Sequence, residues 1–226
     1  LFQNETGEIL PQPDLPKNSL WACDITAGVG HVPFSFKDYP KMSYAFGDAM
    51  KFGGIPGCGF LLVKKGAPIS QMIYGAPNRG GTPPVALIAA MAAALEWHTE
   101  HMDEDRERTS ACWATMLEHF QKIEGMKYNT PFAPNRMNHI LNVSFDGVDG
   151  KTLALLCSKR GVMISAGAAC TSGNNEPSHV LMAMYGDEAR ARSAVRISFS
   201  HENTVEEAEQ AAKIIAECVT EIRQLS

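Results

Sequence analysis

Three residues in this chain stand in settings where their side chains could do chemistry. Cys170 lies in the run Ser165-Ala-Gly-Ala-Ala-Cys170-Thr-Ser-Gly173, among residues too small to bury a thiol. Such a loop leaves a cysteine mobile and reachable, as a nucleophile that travels to its substrate has to be. Lys51 stands in Asp48-Ala-Met-Lys51-Phe-Gly-Gly-Ile-Pro-Gly-Cys-Gly59, where glycines at 53, 54, 57 and 59 permit tight turns ahead of an apolar strand. A lysine at such a junction can be desolvated, which frees its amine to attack a carbonyl. Asp24 closes the apolar stretch Ser19-Leu-Trp-Ala-Cys-Asp24, where a carboxylate is costly unless a cation partners it. Plainer readings stay open beside these: a small-residue loop that holds a cysteine, a surface lysine, and an aspartate that caps a turn.

A protonated pyridine nitrogen is one cation that would satisfy Asp24. A lysine with an aspartate is the minimal anchoring pair for pyridoxal phosphate. Other candidates read as structural. Cys58 is a small residue packed beside the glycine turn, and Cys23, Cys112, Cys157 and Cys218 fall in apolar strand or helix patterns. His179 reads as a packing or hydrogen-bonding group near the cysteine loop.

Composition narrows the function classes. The chain has 226 residues, 45% of them hydrophobic, and a formal charge of −5. Mild acidity argues against nucleic acid or an anionic membrane as partner. The apolar helix from Val85 to Trp97 is too short to span a bilayer. The six cysteines form no CxxC pair, and no histidine stands at zinc spacing, so reduced thiols in a cytoplasmic protein are the expectation. The opening Leu1-Phe-Gln-Asn-Glu-Thr-Gly7 lacks a methionine and reads as a strand end in the middle of a fold. A fragment or one half of a split protein would begin this way.

The elements that must position these residues follow from periodicity and punctuation. Strands are expected at 19–24, 44–46 and 59–64, then a helix over 85–101 entered through Arg79-Gly-Gly-Thr-Pro-Pro84. A second helix over 103–124 carries Trp113, Met116, Leu117 and Phe120 at helical spacing, a core stripe. Beyond residue 126 a strand (140–145), a helix (150–160), a strand (161–165), the cysteine loop, a helix near 179–185, a strand (194–199) and a helix (204–225) alternate. Thr204-Val-Glu-Glu207 is a capping box. The expectation is an α/β chain of two parts, 1–125 and 126–226, with the boundary near 125–135.

Further segments join the three residues in order along the chain. They are Asn4-Glu-Thr-Gly7, Asp24, Lys51 with its glycine turn, Arg79-Gly-Gly-Thr82, Ala166-Gly-Ala-Ala-Cys170 followed by Glu176-Pro-Ser-His-Val-Leu181, and Arg196 in Val195-Arg-Ile-Ser198. In this order and spacing they resemble the class V aminotransferase family, and within it the cysteine desulfurases, pyridoxal-phosphate enzymes of fold type I. The resemblance implies the carboxy-terminal part of that fold: part of the large cofactor-binding domain, then a small α/β domain carrying the nucleophile loop. It implies Lys51 as the cofactor lysine, Asp24 at the pyridine nitrogen, Asn4 orienting cofactor and substrate, and Thr82 at the phosphate bound mainly by a partner subunit. Arg196 would clamp the carboxylate of L-cysteine, and Cys170 would take the sulfur as a persulfide, leaving alanine. The sulfur would pass to an acceptor or scaffold protein for iron–sulfur clusters or thio-cofactors, from a homodimer. Two alternatives share these residues: a cofactor-defective sulfur relay or scaffold, and a lyase acting on selenocysteine or cystine.

Departures from the family pattern fall around the cofactor. Met50 stands where the family has a histidine, Ala27 where it has a glutamine, and Ile73-Tyr-Gly-Ala76 where it has a glutamine–glutamate or histidine–glutamate pair. Asp48 stands where a serine or threonine donates to the phosphate, and a carboxylate there would repel it. A large amino-terminal part of a typical member, with its phosphate-cradling helix end, has no counterpart in these residues. The expectation is that the 226 residues alone bind pyridoxal phosphate weakly or not at all.

Overall fold

The structure is a computed structural model, and it describes residues 1–70, 74–75, 81–132, 135–167 and 176–225. The chain forms two compact units. One comprises Leu1–Phe2 with Leu10–Met102, the other Gln3–Ile9 with Asp103–Ser226. The division after Met102 lies earlier than the 125–135 boundary read from the sequence. The reason is the helix α2 (Met102–Phe120): its buried stripe Cys112, Trp113, Met116, Leu117 and Phe120 belongs to the core of the second unit.

The first unit holds a three-stranded sheet of β1 (Trp21–Asp24), β2 (Met42–Asp48) and β3 (Gly59–Val63). β1 and β2 run parallel, with Asp24 opposite Phe46, and β2 and β3 run antiparallel. Between β2 and β3 the chain makes a 3-10 turn, Ala49–Phe52. Phe52 is fully buried there, with Ile25, Met42, Ala45 and Ala49. Burying a phenylalanine ring stabilises by about 2–3 kcal/mol, so Phe52 anchors this turn to the unit. The helix α1 (Val85–Glu100) follows Pro83-Pro84. It is rich in alanine, the best helix former, and within it His98 is the residue that is buried.

The second unit is an antiparallel sheet, β4 (Met126–Tyr128), β5 (Ile140–Phe145) and β6 (Ala194–Ser198), in the order β4-β5-β6. Helices α2, α3 (Gly150–Lys159) and α6 (Val205–Leu225) supply its apolar core. In α6, Ala208, Ala212, Ile215, Val219 and Ile222 recur at helical spacing and are buried. The capping box at its start is formed: Glu207 N donates to Thr204 Oγ1 at 3.2 Å, and Thr204 N donates to Glu207 Oε2 at 3.1 Å.

The central strand β5 is buried along its whole length. Leu141, Val143 and Phe145 join the helical core. By strand alternation Asn142 and Ser144 face the other way, into a polar network. Asn129 Nδ2 donates to Asn142 Oδ1 at 2.8 Å and to Ser144 Oγ at 2.7 Å. Arg190 Nε donates to Asn129 Oδ1 at 2.7 Å, and Ser144 Oγ to the Arg190 carbonyl at 2.8 Å. Two short helices, α4 (His179–Tyr185) and α5 (Glu188–Arg192), bring Arg190 there, its guanidinium 3.4 Å from the centre of the Tyr185 ring.

Residues 161–165, expected as a strand, form none. Gly161 takes φ +83° and the Val162 amide bonds back to the Cys157 carbonyl, so the segment leaves α3 as a capped turn. Ser165 alone reaches the sheet, in a single antiparallel bridge to Arg196.

Candidate functional site

The residues singled out by sequence fall into two groups, one in each unit. In the first unit, Asp24 ends β1 and Lys51 follows the end of the parallel neighbour β2, so both rise from the carboxyl edge of one parallel strand pair. That edge is where α/β sheets bind ligands. Each corrects an expectation of burial. Asp24 is exposed, and its Oδ1 accepts the Thr26 amide at 2.8 Å, closing a turn. Lys51 is exposed on the 3-10 turn, and among the described residues its amine makes no ion pair.

Local bonds shape the lysine turn. Asp48 Oδ1 accepts the Met50 amide at 2.7 Å, and Gly53, at φ +78°, ends the turn in the left-handed conformation. The Asp48 carboxylate is thus taken up by its own turn. Thr82 is exposed just ahead of α1. Arg79 lies outside the described residues.

In the second unit, Asn4 and Arg196 come together. Arg196 Nη1 donates to the Asn4 carbonyl at 3.1 Å. Opposite Arg196 on β5 stands Asn142, whose Nδ2 donates to the next carbonyl, that of Glu5, at 3.0 Å. Arg196 also exchanges two backbone bonds with Ser165, 3.0 Å from the Ser165 amide and 2.7 Å from the Arg196 amide. Cys170 itself lies outside the described residues. The segment leading to it therefore leaves the sheet at the backbone of Arg196.

A cavity of about 100 Å³ adjoins both roots of that segment, lined among others by Glu5, Lys151, Ala166, Gly167, His179 and Arg192. Glu5 is 1% exposed, and its Oε1 has no hydrogen-bond partner among the described residues. The exposed His179 borders this cavity as the first residue of α4.

The other cysteines are structural, as expected: Cys23, Cys58, Cys112, Cys157 and Cys218 are buried and reduced. Burial pushes the Cys157 thiol up to about 12, with Cys218 as neighbour, and raises Cys112 as well. Such thiols are poor nucleophiles at neutral pH.

Sequence reasoning passed over Asn142, Asn129, Glu5 and His31. A signal for Asn142 was present: Asn142 and Ser144 alternate with Leu141, Val143 and Phe145 in an otherwise apolar strand, which marks a polar face. His31 offered none, since its Nε2 bonds to the Lys51 carbonyl, 2.9 Å away, across twenty positions of chain.

Comparison with known proteins gives this geometry a family. Residues 1–211 match the model of the class-V aminotransferases. A cysteine desulfurase of Gluconacetobacter diazotrophicus is 30% identical over 232 residues, covering 99% of this chain and 58% of the relative. An IscS-like cysteine desulfurase of Mycobacterium tuberculosis is 30% identical over 233 residues, covering 98% of this chain and 58% of its own length. Among solved structures, a NifS-like protein superposes with a TM-score of 0.77 at 30% identity, over 90% of this chain and 53% of that one. A NifS-like protein from Rickettsia africae shares the fold, with a TM-score of 0.75 at 22% identity. The chain thus spans just under three-fifths of the length of these curated relatives, and its α/β architecture is a part of their fold. No described helix is long and apolar enough to cross a membrane. With nearly its whole length matched, the chain belongs to the class-V aminotransferase family.

Proposed function

We propose that this chain carries the sulfur-accepting part of a cysteine desulfurase, which takes sulfur from L-cysteine onto Cys170 and releases alanine. The observation that carries the reading is the convergence on Arg196. Its side chain holds the Asn4 carbonyl, and its backbone holds Ser165, five residues before Cys170. A carboxylate-binding arginine and the root of the nucleophile segment thus share one residue.

Pyridoxal phosphate, when bound, supplies the electron sink that makes the substrate's Cβ–S bond breakable. Lys51 would hold the cofactor through its carbonyl, and Asp24 would hold the protonated ring nitrogen. Thr82 would touch the phosphate that a partner subunit mainly binds. Arg196 grips the substrate carboxylate through parallel N–H donors. Asn4 orients cofactor and substrate beside it. The Cys170 thiolate attacks the substrate sulfur: an S–S bond forms, the Cβ–S bond breaks, and its electron pair returns to carbon, which is protonated to alanine. A sulfur-acceptor or iron–sulfur scaffold protein then takes the terminal sulfur from the persulfide. The protein acts in the cytoplasm as a homodimer.

The test is incubation of the protein with L-cysteine and pyridoxal phosphate, reading alanine and the mass of the Cys170 peptide. Alanine with a gain of one sulfur on Cys170, both lost in Lys51→Ala, is the expected result. The 226-residue chain alone is expected to show little cofactor absorbance. A persulfide on Cys170 that arises only from a donor protein, with no alanine at any cofactor concentration, would replace the enzyme reading with a relay.

A further inference from the structure

The 3-10 turn that bears Lys51 is four residues long. So short a helix leaves its last carbonyls without intrahelical donors, and some group outside it must satisfy them. The Ala49 carbonyl is met by the Gly53 and Gly54 amides. The Lys51 carbonyl is met by a side chain from elsewhere, His31 Nε2 at 2.9 Å. A carbonyl oxygen only accepts, so this bond requires the ring proton to sit on Nε2.

The placement of His31 is itself constrained. Gly30 adopts φ +81°, and a Cβ added there would lie 2.8 Å from the Phe52 Cβ. Residues 30 and 31 therefore press on residues 51 and 52 as a pair, one by close backbone approach and the other by its ring. His31 also ends a segment of consecutive turns that begins at Asp24. Thr26 N bonds to Asp24 Oδ1, Gly28 N and Val29 N to the Ile25 carbonyl, and His31 N and Val32 N to the Gly28 carbonyl. On the far side, the buried His98 of α1 packs its ring 5.7 Å from the His31 ring, centre to centre.

We infer that His31 is a positioning residue that clamps the Lys51 turn to the turn following Asp24, fixing the reactive amine relative to the carboxylate at the neighbouring strand end. The inference rests on the reading of Lys51 as the cofactor lysine. Its physical content is local: remove the Nε2 donor, and the lysine turn loses the bond that registers it against β1.

The test uses the full chain as wild type, His31→Leu and His31→Gln, with Lys51→Ala as the control for peptide assignment. Two quantities are read on each: hydrogen exchange of the amides from 49 to 54, and the rate at which pyridoxal phosphate with cyanoborohydride labels Lys51. The exposed Lys65 in the same digest serves as reference. A hydrogen bond of this kind shifts a local equilibrium about three- to tenfold. His31→Leu is expected to speed exchange by that factor and to slow Lys51 labelling. His31→Gln keeps an N–H donor and should restore both.

No change in His31→Leu overturns the inference. So does a His31→Gln variant as perturbed as His31→Leu, because ring bulk and not the donor would then hold the turn. Should His31→Leu fail to fold, nitrogen-edited NMR of the wild-type ring decides, and a proton found on Nδ1 alone overturns the clamp. If wild-type Lys51 labels no faster than Lys65 while exchange still responds to His31, the clamp stands on exchange alone, and a loss of alanine formation in Lys51→Ala decides the cofactor-lysine reading separately.

Discussion

Asn142 and Arg196 face each other across β5 and β6, and each donates to one of two consecutive carbonyls, those of Glu5 and Asn4. This cross-strand pair holds the Asn4 and Glu5 carbonyls, and the Met137 amide holds that of Gly7. The two donors differ in what else they serve. Asn142 is fully buried and also accepts from Asn129, whereas Arg196 is half-buried on the strand whose backbone starts the cysteine segment.

That difference separates two substitutions. Asn142→Ala leaves the Glu5 carbonyl without its donor, and a buried acceptor left unsatisfied costs about 1–3 kcal/mol. A urea titration should show that loss. Arg196→Lys should instead leave the urea midpoint nearly unchanged while weakening L-cysteine binding by about ten- to a hundredfold, the worth of charge-assisted hydrogen bonds. Equal effects of the two on stability would contradict the division of labour.

Thiol reactivity should discriminate sharply among the cysteines. With its thiol pushed up to about 12 by burial beside Cys218, Cys157 keeps about one part in ten thousand as thiolate near pH 8. Iodoacetamide on the native protein should label Cys170 and spare Cys157, as read by peptide mass spectrometry. Labelling of both at similar rates would mean that the core around α3 and α6 opens readily.

The second unit carries a pH signature at the start of α5. The Arg190 amide, donating to the Asp187 carboxylate, and then Lys127 nearby hold Asp187 below the usual carboxylate range. A depressed carboxyl stabilises above its unfolded value and loses that contribution as pH falls through the folded one. Lys127 is raised by its hydrogen bond to Asp146 at 2.8 Å, so its contribution holds below the ordinary lysine range and is lost as pH rises through the raised value. Asp187→Asn keeps a capping side chain. Its urea midpoint should lie below wild type near neutrality, fall less steeply in acid and converge with wild type there. An unchanged acid limb would assign the titration elsewhere.

Gly30→Ala tests the close approach behind the lysine turn. A left-handed alanine costs about 1–2 kcal/mol, and the new methyl would also meet Phe52 Cβ at 2.8 Å. The expected result is a loss of at least that size in thermal or urea stability, with faster hydrogen exchange over residues 49–54. Gly66, whose added Cβ would meet nothing within 4 Å despite φ +89°, gives the comparison with strain alone.

Much of the fold was legible because its periodicities are strong. The α2 stripe and the capping box of α6 rest on spacing and bonds within a few residues, and both are present. The strands at 21–24, 42–48, 59–63, 140–145 and 194–198 were legible too, but two segments whose state depends on a distant partner were not. β4 is three residues long and exists because β5 lies beside it. Residues 161–165 have strand-like composition, but only Ser165 finds a partner. The site divides in the same way. Residue types and order pointed to Asn4, Asp24, Lys51, Thr82, Cys170 and Arg196. His31, which holds the Lys51 turn by one long-range bond, has no spacing of its own to reveal it, and Asn142 showed only as a polar position in an apolar strand.

The membership of Gln3–Ile9 in the second unit has a practical corollary. These seven residues are flanked on both sides by sequence of the first unit, so the chain passes from one unit to the other three times. No contiguous cut at Met102 can deliver the second unit whole. A clone beginning at Asp103 would retain the cysteine segment and Arg196 yet leave out the turn at residues 4–6 whose carbonyls Arg196 and Asn142 grip. Gene fission or domain grafting at that boundary would therefore separate Arg196 from the Asn4 carbonyl it bonds and Asn142 from that of Glu5.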